Sequence, residues 1–252
     1  MHFSIISIFP SLVQAGMQEG VISRAVSEKL IELNIVNLRD FTFDRHRTTD
    51  DRPFGGGEGM VMTPEPLSLA VKDARMSGVE RERVILLSPQ GRVFNQRVAE
   101  ELRGEQHLIL VCGRYEGVDE RFRDKYVDEE LSIGDFILTG GELPALMIVD
   151  AVTRLIPGVL GCSDSALRDT FSRELLKHAH YTRPRVFEGM GVPDVLFSGD
   201  HRKIEEHRFL ESVRRTMERR PDLLARATFS PEEKKLLARH GMHPDTKGET
   251  GQ

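Results

Sequence analysis

Cysteine is nearly missing from this 252-residue chain: Cys112 and Cys162 stand alone, fifty positions apart. No C-x-x-C pair and no disulfide framework can be drawn from them, so a reducing, cytoplasmic setting is expected. Long apolar runs are missing too, and none approaches the ~20 residues of a membrane span. The opening Met1-His2-Phe3-Ser4 has neither a basic n-region nor a cleavage site, so no signal peptide is expected. The chain has no P-loop, no G-x-S-x-G and no H-E-x-x-H. His46, His178 and His180 lack zinc-ligand spacing, and no cysteine lies near them.

What is present suits a water-soluble globular protein: 39% hydrophobic and 30% charged residues. At roughly 150 residues per domain, the length allows one large or two small domains. The net charge of −5 conceals an asymmetry. Residues 1–160 hold 18 Lys/Arg against 25 Asp/Glu, whereas residues 161–252 hold 17 against 15. An acidic body with a basic C-terminal part suits a small ligand in one and a polyanion in the other, although a solvated helix surface gives the same composition.

Phe3–Phe9 predicts a buried strand ending at Pro10, with Ser11 capping the next helix. Near-helical spacing runs from Leu12 to Leu33, interrupted by Gly16 and Gly20. Further strands are expected at Ile35–Phe41, Arg83–Leu87 and His107–Val111, with a loop over Asp44–Gly59. Helices are expected from Pro64 to about Met76, around Phe94–Leu102 and at Glu142–Leu155. Alternating strands and helices predict an α/β domain with a largely parallel sheet. Helices are also expected at Lys203–Arg219, Pro221–Ala227 and Pro231–Arg239. The boundaries drawn are an α/β domain over 1–160, a flexible linker over 161–170, a helical domain over 171–242 and a disordered tail over 243–252.

Three glycine-bearing segments follow strands. They are SPQGR (Ser88–Arg92), VCGRYEGVD (Val111–Asp119) and SIGDFILTGG (Ser132–Gly141), the last expected to hold a short apolar strand. Each alone reads equally as a structural turn or a ligand loop. None matches G-x-G-x-x-G, so a dinucleotide site is not supported. Their convergence at the carboxyl ends of strands is more informative, because ligands settle there in α/β sheets. DRHRTTDDRPFGGGEGM (Asp44–Met60) could clamp phosphates through Arg45, His46, Arg47 and Arg52, but its aspartates also suit an ordinary surface loop. Arg168–Arg185 carries five Lys/Arg, two acids and interleaved aromatics, a mixture suited to RNA contact.

Taken in order, DRHRTTDDRPFGGGEGM, SPQGR, LVCGRYEGVDER, SIGDFILTGGELPA, IPGVLG and HYTRP resemble the bacterial tRNA (guanine-N1-)-methyltransferases that modify position 37, over about residues 1–240. The resemblance implies the SPOUT class: an α/β fold with a deep trefoil knot, plus a small helical C-terminal domain that holds tRNA. It implies S-adenosylmethionine bound by Pro89, Gly113, Tyr115, Gly117, Ile133, Gly134, Asp135, Phe136, Ile137, Leu138, Gly140 and Gly141. It further implies a homodimer with sites shared between chains, a magnesium requirement with Glu116 as the matching ligand, and Asp169 and Arg154 as the catalytic pair. The chain departs from the pattern L-L-D-x-P-x-Y-T-R-P by carrying Lys177 for the aspartate and Ala179 for the proline.

Guanine N1 is a poor nucleophile until its proton leaves, and an aspartate of ordinary pKa ~3.9 is a weak base for that task. A cation at O6, where charge accumulates, makes the step feasible. The implied roles of Asp169 as base and Arg154 at O6 match that need. Two other readings are a knotted ribose 2′-O-methyltransferase and a non-catalytic RNA-binding protein. The second has no use for glycine-framed loops. A Rossmann-type methyltransferase is disfavoured because its first strand should lead into glycines, whereas this one meets Pro10.

Overall fold

The computed structural model describes residues 1–161, 169–171 and 173–243. Most of the expected linker and all but the first residue of the expected tail lie outside them. The chain divides into two compact units, Met1–Ser163 and Asp164–Gln252.

In the first unit a five-stranded sheet is built from β1 (His2–Ser7), β2 (Glu32–Asn37), β5 (Glu82–Val93), β6 (His107–Cys112) and β7 (Glu129–Ser132). Their order is β2-β1-β6-β5-β7, and every pairing is parallel. Parallel strands need crossovers, and here helices supply most of them. They are α1 (Pro10–Gly16), α2 (Gly20–Ser27), α3 (Pro64–Ala74), α4 (Gln96–Leu102), α5 (Glu120–Tyr126) and α6 (Glu142–Thr153).

Strand periodicity sorts the core into two halves. Phe3, Ile5, Ile85, Leu87, Leu108 and Leu110 pack with α1, α2, α4 and α6 on one face. Ile6, Val84, Leu86, Ile109 and Val111 pack with α3 and α5 on the other. β6 is buried along its whole length, as a central parallel strand covered on both faces must be.

Several local expectations shift. The first strand stops at Ser7, whose hydroxyl accepts the Phe9 amide at 2.8 Å. The helix then starts on Pro10, so Ser11 is not its cap. The 12–33 pattern resolves into two helices, the second opening on Gly20 at φ +72, and then the start of β2. The strand expected at Ile35–Phe41 lies at Glu32–Asn37 and passes into a 3-10 turn at Leu38–Phe41. Asp44–Gly59 is not all loop: β3 (Asp50–Asp51) pairs antiparallel with β4 (Val61–Met62).

The second unit has its own small core of Leu175, Leu210, Val213, Leu236, Leu237 and Met242. It comes from α7 (His201–Arg219), α8 (Pro221–Leu224), α9 (Pro231–Arg239) and the preceding segment. Ser230 and Glu233 close a reciprocal capping box at the start of α9. A short hairpin, β8 (Val186–Phe187) with β9 (Met190–Gly191), was not foreseen.

Candidate active site

The three glycine-bearing segments lie within β5 and after β6 and β7. SPQGR is an excursion within β5: Leu87 and Arg92 both pair with Leu131, and residues 88–91 bulge out between them. A Cβ on Gly91 would stand 2.4 Å from the Glu130 carbonyl carbon, so only glycine lets the strand resume there.

The expected strand inside SIGDFILTGG does not form. Phe136, Ile137 and Leu138 are irregular and exposed, with Ile137 80% accessible. The turn before them is fixed by the Ser132 hydroxyl, which donates to the Gly134 carbonyl at 3.1 Å. Ser88 and Pro89 face Ser132, Ile133, Gly134, Phe136, Ile137 and Leu138 across a cleft whose end is closed by Pro144 of α6. Asp135 is exposed beside it.

The loop after β6 is laced on both sides. Gly141 N–H donates to the Gly113 carbonyl at 2.9 Å, and Arg114 bridges to Gly140. A Cβ on Gly141 would meet the Cys112 Cα at 2.7 Å, which explains the glycine. On the other side Glu116 N–H donates to the Met60 carbonyl at 3.0 Å, and Met62 N–H to Gly117 at 2.9 Å. Tyr115 (φ +58) and Gly117 (φ +120) make the reversal between these contacts. The 44–60 segment thus serves the site as a wall as well as a surface loop. Burial, with Asp50 nearby, pushes the Tyr115 phenol up. Burial also pushes the Cys112 thiol well up, so it stays a protonated spectator.

Sequence reasoning missed the pair that holds this junction. Glu142, 1% exposed, receives Arg114 through Nε at 3.1 Å and a terminal nitrogen at 2.9 Å, and the Ser7 hydroxyl at 2.7 Å. The Arg114 guanidinium lies 4.3 Å from the centre of the Phe9 ring. The only sequence signal is an acid opening an otherwise apolar helix, which reads as an ordinary first-turn carboxylate.

The expectation of magnesium rests on Glu116 alone. Its carboxylate rests against Gly59, where a Cβ would approach Oε1 to 2.5 Å. Among the described residues no three His, Cys, Asp or Glu side chains group as a metal would require. A lone carboxylate does not define a magnesium site, which also draws on waters or substrate phosphates.

Arg154 ends α6 with an exposed side chain. Asp169 belongs to the second unit, where its carboxylate accepts the Thr170 amide at 3.0 Å and pairs with Lys177 Nζ at 3.4 Å. In that unit the HYTRP segment lines a cavity of about 410 Å3 together with Arg185, Phe197 and Arg208. The basic residues of α7 are largely matched within the helix. Arg202 meets Glu206 at 3.0 Å, Arg208 meets Glu205 at 2.7 Å and Arg215 meets Glu211 at 3.5 Å.

Helices on both faces of a parallel sheet, with glycine-tight loops at its carboxyl edge, define an α/β ligand-binding protein. Residues 1–226 match the family described as tRNA (Guanine-1)-methyltransferase TrmD. A protein named tRNA (guanine-N(1)-)-methyltransferase from Moorella thermoacetica is 52% identical over 238 residues, 94% of this chain and 95% of the relative. One of the same name from Pseudomonas fluorescens is 54% identical over 237 residues, 94% of this chain and 95% of the relative. The chain therefore belongs to the tRNA (guanine-1)-methyltransferase family and is an enzyme. Among the described residues no helix is long and apolar enough to cross a membrane.

Proposed function

We propose that this enzyme transfers a methyl group from S-adenosylmethionine to N1 of guanine at tRNA position 37, beside the anticodon, in the cytoplasm. The observation that carries the reading is the laced junction of residues 60–62, 113–117 and 140–141 beside the 88–89/132–138 cleft, in a chain matched to the family over residues 1–226.

The cleft suits the methyl donor. Phe136, Ile137 and Leu138 offer exposed apolar surface, while Gly113, Gly140 and Gly141 let the neighbouring loops pack closely against one another. S-adenosylmethionine, when bound, supplies an electrophilic methyl group on a sulfonium. In this reading the donor is held by Pro89, Ile133, Gly134, Phe136, Ile137 and Leu138, with Tyr115, Gly117 and Asp135 at the margin. The threading that makes such a junction would be the trefoil knot of the SPOUT class, an arrangement almost absent from proteins at large.

The remaining chemistry is assigned to two side chains. Asp169 removes the proton from guanine N1. Arg154 offsets the negative charge that this leaves on O6, as preorganised donors do wherever charge develops. Neither forms a covalent bond to substrate, and the rate comes mainly from positioning. The experiment that tests the activity is methylation of total tRNA with labelled donor, followed by mapping of the modified nucleotide. Label on N1 of guanine 37 supports the reading. Label on a ribose 2′-oxygen, or none, removes it.

The enzyme would work as a homodimer. Leu143 and Met147 lie one turn apart on α6 and are each 51% exposed, and Leu12 is exposed on α1, which packs against α6. A second copy would cover that apolar patch. Sites shared between copies make a prediction. An Asp169→Ala chain paired with a Gly141→Val chain is expected to regain up to one working site per heterodimer. A verified heterodimer without turnover argues for sites confined to one chain.

The second unit would hold the tRNA, and its internal ion pairs limit which residues contribute. Arg214 and Arg219 are exposed and make no ion pair among the described residues. Arg214→Glu with Arg219→Glu is expected to weaken tRNA binding and flatten the log–log salt dependence by about 0.7–0.9 per lost phosphate contact. Donor affinity should hold. Filter binding from low to high salt measures both. An unchanged slope would make α7 a solvated face only.

A further inference from the structure

The cavity in the second unit lies among residues to which no role in the methyl transfer has been given. Its volume, about 410 Å3, is within the roughly 300–1,000 Å3 of small-molecule pockets. Three guanidiniums reach it, from Arg183, Arg185 and Arg208, and no carboxylate lines it. Arg185 is pre-set, stacked 4.2 Å over the Phe197 ring and held by Asp194 at 3.1 Å. Arg208 is tied to Glu205, whereas Arg183 makes no ion pair among the described residues. The imidazoles of His178 and His180 stack at 4.5 Å between centroids with 24° between planes, and both line the cavity beside Tyr181.

A flat ring stack, an Arg183 guanidinium with no ion pair among the described residues and an aliphatic floor of Val192, Leu196 and Ile204 make a specific combination. Rings and guanidinium planes take up splayed-out bases, and guanidinium forks grip phosphate. A phosphate alone would leave the rings and the floor unused, and an apolar peptide would leave the guanidiniums unused. We propose that this pocket takes one unpaired nucleotide of the RNA substrate, its base against the ring stack and its phosphate against Arg183. The assignment rests on the reading of the chain as a tRNA enzyme and locates a contact within it. Burial, reinforced by His178, Lys177 and Arg208, holds the His180 imidazole below its usual pKa, so at neutral pH it meets the base as a neutral partner.

Two measurements on the full-length protein test it. The first adds uridine 5′-monophosphate, a probe without the adenine that suits the donor cleft, and follows the histidine ring resonances by NMR. The resonances of His178 and His180 are expected to shift with the nucleotide and far less with inorganic phosphate at equal concentration. Equal shifts with both, or none with the nucleotide, overturn the proposal. The second compares Arg183→Ala and His180→Ala with the parent. Each is expected to weaken tRNA binding about tenfold while the single-turnover rate at saturating tRNA stays within a few-fold. Unchanged tRNA affinity overturns the nucleotide site, as does an affinity loss that tracks loss of the dimer in sedimentation. If the parent methylates no tRNA yet both variants lose RNA binding, the catalytic reading fails and the pocket stands.

Discussion

Asp169→Asn is expected to slow single-turnover methyl transfer by about 10²–10⁴-fold, the usual cost of losing a general base. The substitution keeps the size of the side chain and its ability to accept the Thr170 amide, which Asp169 receives at 3.0 Å. It removes the only property that N1 deprotonation needs, a site for the proton. It also breaks the ion pair with Lys177, 3.4 Å away, so Lys177→Met is the control for that loss alone. Saturating donor and tRNA isolate the chemical step from product release. Donor affinity should remain near the parent value, because the residues proposed to hold the donor lie in the first unit. An Asp169→Asn rate within a few-fold of the parent would show that another group takes the proton.

Glu142→Gln is expected to cost about 3–5 kcal/mol of stability, because it leaves the half-enclosed Arg114 guanidinium facing a neutral amide. For a unit of this size that lowers the melting temperature by on the order of 10 °C. The pair is buried where β1, the loop after β6 and the start of α6 meet, so the loss is not screened by solvent as an exposed pair would be. A second substitution separates stability from site geometry. Glu142→Gln with Arg114→Met removes the orphaned charge and should recover much of the stability, since apolar groups often replace buried pairs without penalty. Donor affinity should stay weakened in the double variant, because the tie between residues 114 and 140–142 is gone. Thermal melts with donor-binding titrations decide it. A double variant no more stable than the single, or one with restored donor affinity, contradicts this account.

The sequence carried some elements to the residue and hid others, for identifiable reasons. Pro231–Arg239 was readable because its signal is local: Ser230 and Glu233 form the capping box around Pro231 within four positions. β6 was readable to within one residue, as His107–Val111, because a short apolar run can only be a buried strand or a short buried helix, and its neighbours alternate with helices. The alternation also conveyed the α/β class. Phe136–Leu138 misled because an apolar run predicts burial, whereas here it is exposed at the rim of a cleft. Gly20 was visible as an interruption, but its positive φ, where the second helix opens, belongs to the backbone.

At the site, the convergence of the three loops followed from their position after strands. The Arg114–Glu142–Ser7 network did not, because its members lie 28 and 135 positions apart and each reads as ordinary alone. The cofactor and the catalytic pair came from resemblance rather than from pattern. Arg154 and Asp169 have no local signature: one is a helix-end arginine and the other an acid in a polar stretch.

The lacing of residues 60–62, 113–117 and 140–141 has a consequence for how a ligand arrives. These segments are joined by backbone hydrogen bonds of 2.9–3.0 Å that belong to the fold itself. Their conformational entropy has therefore been surrendered during folding, before any encounter. A small molecule entering such a frame meets a surface already in order, and the free energy of its contacts is not consumed in organising loops. Capture would then be a single fast step limited by diffusion and desolvation.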